Sequence, residues 1–115
     1  MKKKTVKIPI YFGTLIMLDV QEWDYVNRTF GYDITNGYSA IVFSRFAANG
    51  QREYYAAFNA GAEEITADKI AHEAVHLVNR VFKDVGIELD LENDEAQAYF
   101  TGWVVKQLTE FIYKK

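Results

Sequence analysis

Apolar and polar positions follow two different periods along the chain, and the change comes after Asn59. Before it, short runs rich in β-branched and aromatic residues succeed one another. Val6 to Tyr11 and Thr14 to Val20 predict two strands, with Phe12-Gly13 as the turn between them. A short helix is predicted from about Gln21 to Thr29, closed by Gly31. Tyr38 to Phe46 and Arg52 to Asn59 predict two further strands. The Asn-Gly step in Ala48-Asn49-Gly50 between them suits the positive backbone angles of a tight hairpin.

Beyond Asn59 the spacing becomes helical. Thr66 is a good N-cap, Ala67 to about Asp84 repeat apolar residues every three or four positions, and Gly86 supplies the stop. Ile87 to Glu92 forms an acidic loop. Asn93 reads as the N-cap of a last helix reaching about Tyr113, with Asp94 and Glu95 in the acidic first turn that the helix dipole favours. Strands first and helices last make an α+β fold. The expected architecture is an antiparallel-rich sheet of about four strands packed on these two helices.

Composition narrows this picture without redirecting it. The 115 residues are 50% apolar and 25% charged, which suits one domain over 1–115; the chain shows no repeat, linker or low-complexity run. Aromatic residues reach 16%, and filling the core is their first expected use, a groove or self-association surface the second. A net charge of −3 gives no basic face for nucleic acid; Lys2 to Lys4 and Lys114-Lys115 read as solubilising ends. With no cysteine, disulfides, thiolate metal sites and cysteine nucleophiles are excluded, and any metal falls to His, Asp or Glu. That composition also fits a cytoplasmic protein. The lysines followed by Ile8 to Leu18 mimic a signal peptide, but Pro9 and Gly13 interrupt the run and no small-x-small site follows it, so a leader is not expected. No stretch is long enough to cross a bilayer.

The candidate chemistry is concentrated in one segment. Both histidines of the chain fall in His72-Glu73-Ala74-Val75-His76. On a helix, positions i and i+4 stack on one face, so both imidazoles can reach a single cation, while Glu73 sits to the side as a base. Ile70, Val75, Val78, Val81 and Phe82 around the motif predict a largely buried helix, where two unpaired imidazoles and a carboxylate would be costly. The bland alternative is a chance match on a helix surface.

A catalytic zinc usually takes three protein ligands and leaves one position open. With no third histidine, a carboxylate is expected, from Glu88, Asp90, Glu92, Asp94 or Glu95. Glu95 is preferred because it starts a helix and shares a face with Ala98, Tyr99 and Gly102, whose small members would let that helix press on the histidine helix; Glu92 and Asp94 are the fallbacks. Oxyanion stabilisation would fall to Tyr99, Tyr54, Tyr55 or Arg80, with Tyr99 first.

HEAVH followed by NDEAQAY resembles the zincin metallopeptidases of the glutamate-ligand type, and the stretch from Thr66 to Trp103 is similar to small zincin-like proteins of phages and prophages. The resemblance covers about a third of the chain. It implies a minimal zincin-like fold, one Zn2+ held by His72, His76 and Glu95, and an edge strand above the metal helix receiving an extended peptide. The expected activity is zinc-dependent hydrolysis of a peptide or protein substrate, with Glu73 as general base and Tyr99 assisting. The chain departs from larger zincin peptidases in lacking the helical domain of their far cleft wall and any spare histidine. Two rival expectations follow: a zincin-like interaction module without catalysis, and a metal-free structural or assembly protein.

Overall fold

A computed structural model describes residues 1–35 and 37–114 of the chain. Of the basic pair Lys114-Lys115, Lys115 lies outside the described residues. The elements are β1 (Lys2–Lys7), β2 (Thr14–Asp19), α1 (Asp24–Phe30), β3 (Ala40–Phe46), β4 (Arg52–Phe58), α2 (Ala67–Val85) and α3 (Glu95–Tyr113). The α+β class holds. The strands form one mixed sheet in the order β1-β2-β4-β3. Two of its three pairings are antiparallel, and the central one, β2 with β4, is parallel.

The parallel pair explains why these two strands read as continuous apolar runs rather than alternating ones. Both of their faces are covered, so both sets of side chains are apolar. Leu15 and Met17 of β2, with Tyr54, Ala56 and Phe58 of β4, pack under α2 and α3. Their neighbours Ile16, Leu18, Tyr55 and Ala57 pack on the opposite face with Trp23 and Val26 around α1. The two outer strands behave differently. β3 sends Ala40 and Val42 toward the α2 face and Ile41 and Phe43 toward α1, and its far edge pairs with no described strand.

The first strand is a correction. It spans Lys2–Lys7 and not Val6 to Tyr11, in register from Lys2 opposite Asp19 to Lys7 opposite Thr14. An edge strand tolerates a lysine run because its side chains stay in water, whereas Pro9 has no N–H for a ladder. Residues 8–13 instead form a loop that closes when the Ile8 N–H donates to the Gly13 carbonyl at 3.1 Å. Gly13 has φ +115, and a Cβ there would stand 2.9 Å from the Arg52 carbonyl oxygen, so only glycine fits. The hairpin lies where expected, but of its Asn-Gly step only Gly50 takes a positive φ, +84, and its N–H donates to the Ala47 carbonyl at 2.9 Å.

α2 begins where Thr66 was expected to cap it, although the Thr66 hydroxyl turns to the Asp68 carboxylate. It ends at Gly86, φ +79. α3 starts one residue later than expected, with Asp94 at the N-cap position. The two helices run antiparallel: the Phe82 and Phe100 rings stack at 5.9 Å near one end, and the Tyr113 hydroxyl donates to the Ile65 carbonyl at the other. No described helix is long and apolar enough to cross a membrane.

Candidate functional site

The phase of α2 sets up the site. Ile70, Ala74, Leu77, Val78, Val81 and Phe82 repeat at three- and four-residue intervals and are all buried. The same periodicity places His72, His76, Asn79 and Lys83 on the other side of the cylinder. That side, together with Gly37, Tyr38 and the first residues of β3, lines a groove of about 930 Å³. The groove therefore lies between α2 and the unpaired edge of the sheet.

Inside it, the two histidines are brought together. Their Nε2 atoms are 3.1 Å apart, with ring centroids separated by 4.7 Å. Two nitrogens bound at zinc–nitrogen distances on a tetrahedral ion would be about 3.3 Å apart, so the pair fits a shared cation. The same spacing also suits one ring donating a hydrogen bond to the other. Both histidines are exposed, which corrects the expectation that they lie in the core; the cost of burying bare imidazoles does not apply to them.

The buried member is Glu73, only 8% exposed. Its carboxylate accepts no hydrogen bond from the described residues, and its Oε2 lies 4.0 Å from the His72 Nε2. Burial pushes its pKa above the usual carboxylate range, against the opposing pull of His72 and His76. A half-sequestered carboxylate without a fixed partner beside two ring nitrogens is suited to taking and returning a proton.

The expected third ligand is not brought to this pair. Among the described residues, no group of three or more His, Asp or Glu side chains converges as a metal site. Glu95 is exposed in the first turn of α3. The reason is the phase of α3, which buries Phe100, Val104, Leu108 and Phe111. Glu95, Ala98, Tyr99 and Gly102 fall on the opposite side, where a Cβ on Gly102 would meet nothing within 4 Å. The expectation that these small residues press α3 onto α2 is thus overturned. Glu88, Asp90, Glu92 and Asp94 are likewise exposed.

The oxyanion candidates separate as clearly. Tyr99 is 77% exposed and does not line the groove. Tyr54 is buried between β4 and α2, where its hydroxyl donates to Asp84 at 2.6 Å; burial first, and Asp84 second, push its pKa up to about 12. Tyr55 faces the α1 side and donates to Glu53 at 3.0 Å. Only Arg80 of the four lines the groove. Sequence reasoning passed over Tyr38, which also lines it and whose carbonyl accepts a hydrogen bond from the Trp23 indole at 2.7 Å. Nothing in the local sequence distinguishes Tyr38 from a strand residue.

Comparison with protein-family models, curated proteins and solved structures found no match to this chain.

Proposed function

We propose that the protein is a zinc-dependent hydrolase acting on the amide bonds of an extended peptide laid in the groove between α2 and β3. The observation that carries this reading is the coincidence of three things at one place. Two imidazole nitrogens are 3.1 Å apart, a buried carboxylate with no hydrogen-bond partner among the described residues stands beside them, and a sheet edge that pairs with no described strand runs alongside. His72 and His76 would hold the ion, and bound zinc would supply Lewis acidity toward a carbonyl and toward water.

The remaining work falls to the chain. The backbone of β3 is placed to accept a peptide by main-chain hydrogen bonds, as exposed edges do. Glu73 takes the proton of the attacking water and returns it to the departing amine, a cycle that leaves the carboxylate unchanged. The resemblance to glutamate-ligand zincins supports the same chemistry but names Glu95, which stands apart from the histidines here. That separation favours a second reading: a zincin-like module that binds an extended segment and cleaves nothing.

The Glu73→Gln variant, assayed with a broad peptide library and metal analysis, decides between them. The hydrolase reading expects zinc retained and turnover lowered by about 10²–10⁴-fold, the usual contribution of a general base. Stoichiometric zinc with no cleavage by the wild-type protein would leave the binding module. Absence of zinc binding would remove both in favour of a metal-free structural protein.

A further inference from the structure

Among the described residues, Arg80 is the one arginine without an acidic partner. The other three are paired: Arg28 with Asp24 at 2.9 Å, Arg45 with Glu53 at 2.9 Å and Arg52 with Asp84 at 2.8 Å. No carboxylate among the described residues pairs with Arg80, and its recorded contact is from Nη1 to the Ser44 hydroxyl at 3.3 Å. A guanidinium has five N–H donors in a planar fork, so this single bond steadies the group and leaves the rest of the fork unused. Arg80 lines the histidine groove, and Lys83, one turn further along α2, lines it too.

We infer that Arg80 is a specificity residue that takes a carboxylate of the bound peptide, one or two residues from the bond that the histidine site addresses. The inference deepens the hydrolase reading and rests on it only for the bond being cut. Spacing sets the position. Arg80 follows His76 by four residues, about 6 Å along a helix axis, and an extended peptide advances about 3.3 Å per residue. The charges at the start of the groove are already engaged, Asp68 by Thr66 and Lys69 by Glu63, whereas Arg80 and Lys83 toward the end of α2 pair with no described carboxylate.

Two sources can supply the carboxylate, and strand direction limits when the terminal one can reach Arg80. Ser44 meets Arg80 near the C-terminal ends of both β3 and α2, so the two elements run alongside in one sense. A peptide antiparallel to β3 would bring a residue on the N-terminal side of the cleaved bond to Arg80, and that residue must be Asp or Glu. A parallel one would bring a residue on the C-terminal side, whose carboxylate is either an Asp or Glu side chain or the peptide's own C-terminus.

The test uses labelled peptides carrying a single Glu or Gln at successive positions, each made with a free or an amidated C-terminus. Cleavage is measured with the zinc-loaded protein, and binding by anisotropy with the Glu73→Gln variant. A charge-assisted pair is expected to favour the carboxylate-bearing peptide by about ten- to hundredfold, with the preference shrinking as salt rises. Arg80→Gln should collapse that ratio and Arg80→Lys should retain part of it. Preference for Glu over Gln identifies the acidic side chain; preference for free over amidated ends identifies the terminal carboxylate. Equal treatment of charged and neutral peptides, no peptide binding at all, or a preference that survives Arg80→Gln, would overturn the inference. Selective binding without cleavage would uphold it and sink the hydrolase reading, and unselective cleavage would do the reverse.

Discussion

α2 and α3 are neighbours of equal length, 19 residues each, that share one core and run antiparallel, yet only one of them carries its polar chemistry into a groove. α2 divides its residues by one period: apolar residues at every third or fourth position are buried, with Glu73 buried beside them and Val75 exposed as the exceptions, and the histidines lie on the face left over. α3 is apolar on most sides. Phe100, Val104, Leu108 and Phe111 are buried, while Trp103, Val105 and Ile112 are packed partly against the same core and Tyr99 is in solvent. A helix with one apolar stripe announces which way it faces. A helix with several does not, and tertiary packing selects among them.

The widest separation between the two helices is expected in metal binding. His72→Ala or His76→Ala removes one of the two nitrogens that stand 3.1 Å apart and should weaken zinc binding by well over the 10–100-fold typical of a lost outer-shell partner. Glu95→Ala should leave zinc affinity within about twofold, because its carboxylate is not grouped with the rings. Calorimetric titration with zinc measures both. If Glu95→Ala weakened binding as much as either histidine variant, the first turn of α3 would have to swing to the histidines when metal binds.

In the cores of the two helices the contrast should vanish. Leu77 on α2 and Leu108 on α3 are both fully buried in the same cluster. Truncation of either to alanine is expected to cost about 2–5 kcal/mol, against no more than about 0.5 kcal/mol for Asn79→Ala or Lys106→Ala on the exposed sides. Urea unfolding gives the comparison directly. A small effect at Leu108 would mean that α3 is held less firmly than its burial implies.

This pattern also shows what the chain made legible. The α+β order, the Asn49-Gly50 hairpin and the bounds of α2 follow from local chemistry: turn residues, caps and a single period. The placement of His72 and His76 together needed nothing beyond helical geometry, because both sit on one element. The third ligand and the oxyanion group required a relation between elements, which the period of one element does not supply. Ala98 and Gly102 looked like a packing face because they are small, but Phe100, two residues from each, and Val104, two beyond Gly102, compete for the same role and bury more apolar surface. The N-terminal strand was missed for a related reason. Lysines are poor strand markers until it is known that the strand lies at an edge.

A pH-dependent test applies where β4 meets the far end of α2. The Tyr54 hydroxyl, buried and bonded to Asp84, holds its proton to about pH 12, whereas an unfolded tyrosine loses it near pH 10. The folded state therefore binds more protons than the unfolded one between those values. Its contribution is complete below about pH 10 and is lost as pH rises toward 12, about 2–3 kcal/mol across the window. Tyr54→Phe should flatten that slope relative to wild type in denaturant melts taken from pH 9 to 12. An unchanged slope would show that the phenol is open to water in the native state.

The smallest expected effect tests the joint between the two helices. Gly86 ends α2 in the left-handed region at φ +79, and its N–H donates to the Phe82 carbonyl. A Cβ built on it would meet no other atom within 4 Å, so the penalty of a side chain is purely that of the backbone. Gly86→Ala should then cost about 1–2 kcal/mol, and Gly86→Asn less, since asparagine enters this region more readily. A larger loss for alanine, or an equal loss for asparagine, would mean that space at the joint is tighter than the geometry allows. The path from α2 into α3 would then help to set the phase of α3, and with it the distance that keeps Glu95 from the histidines.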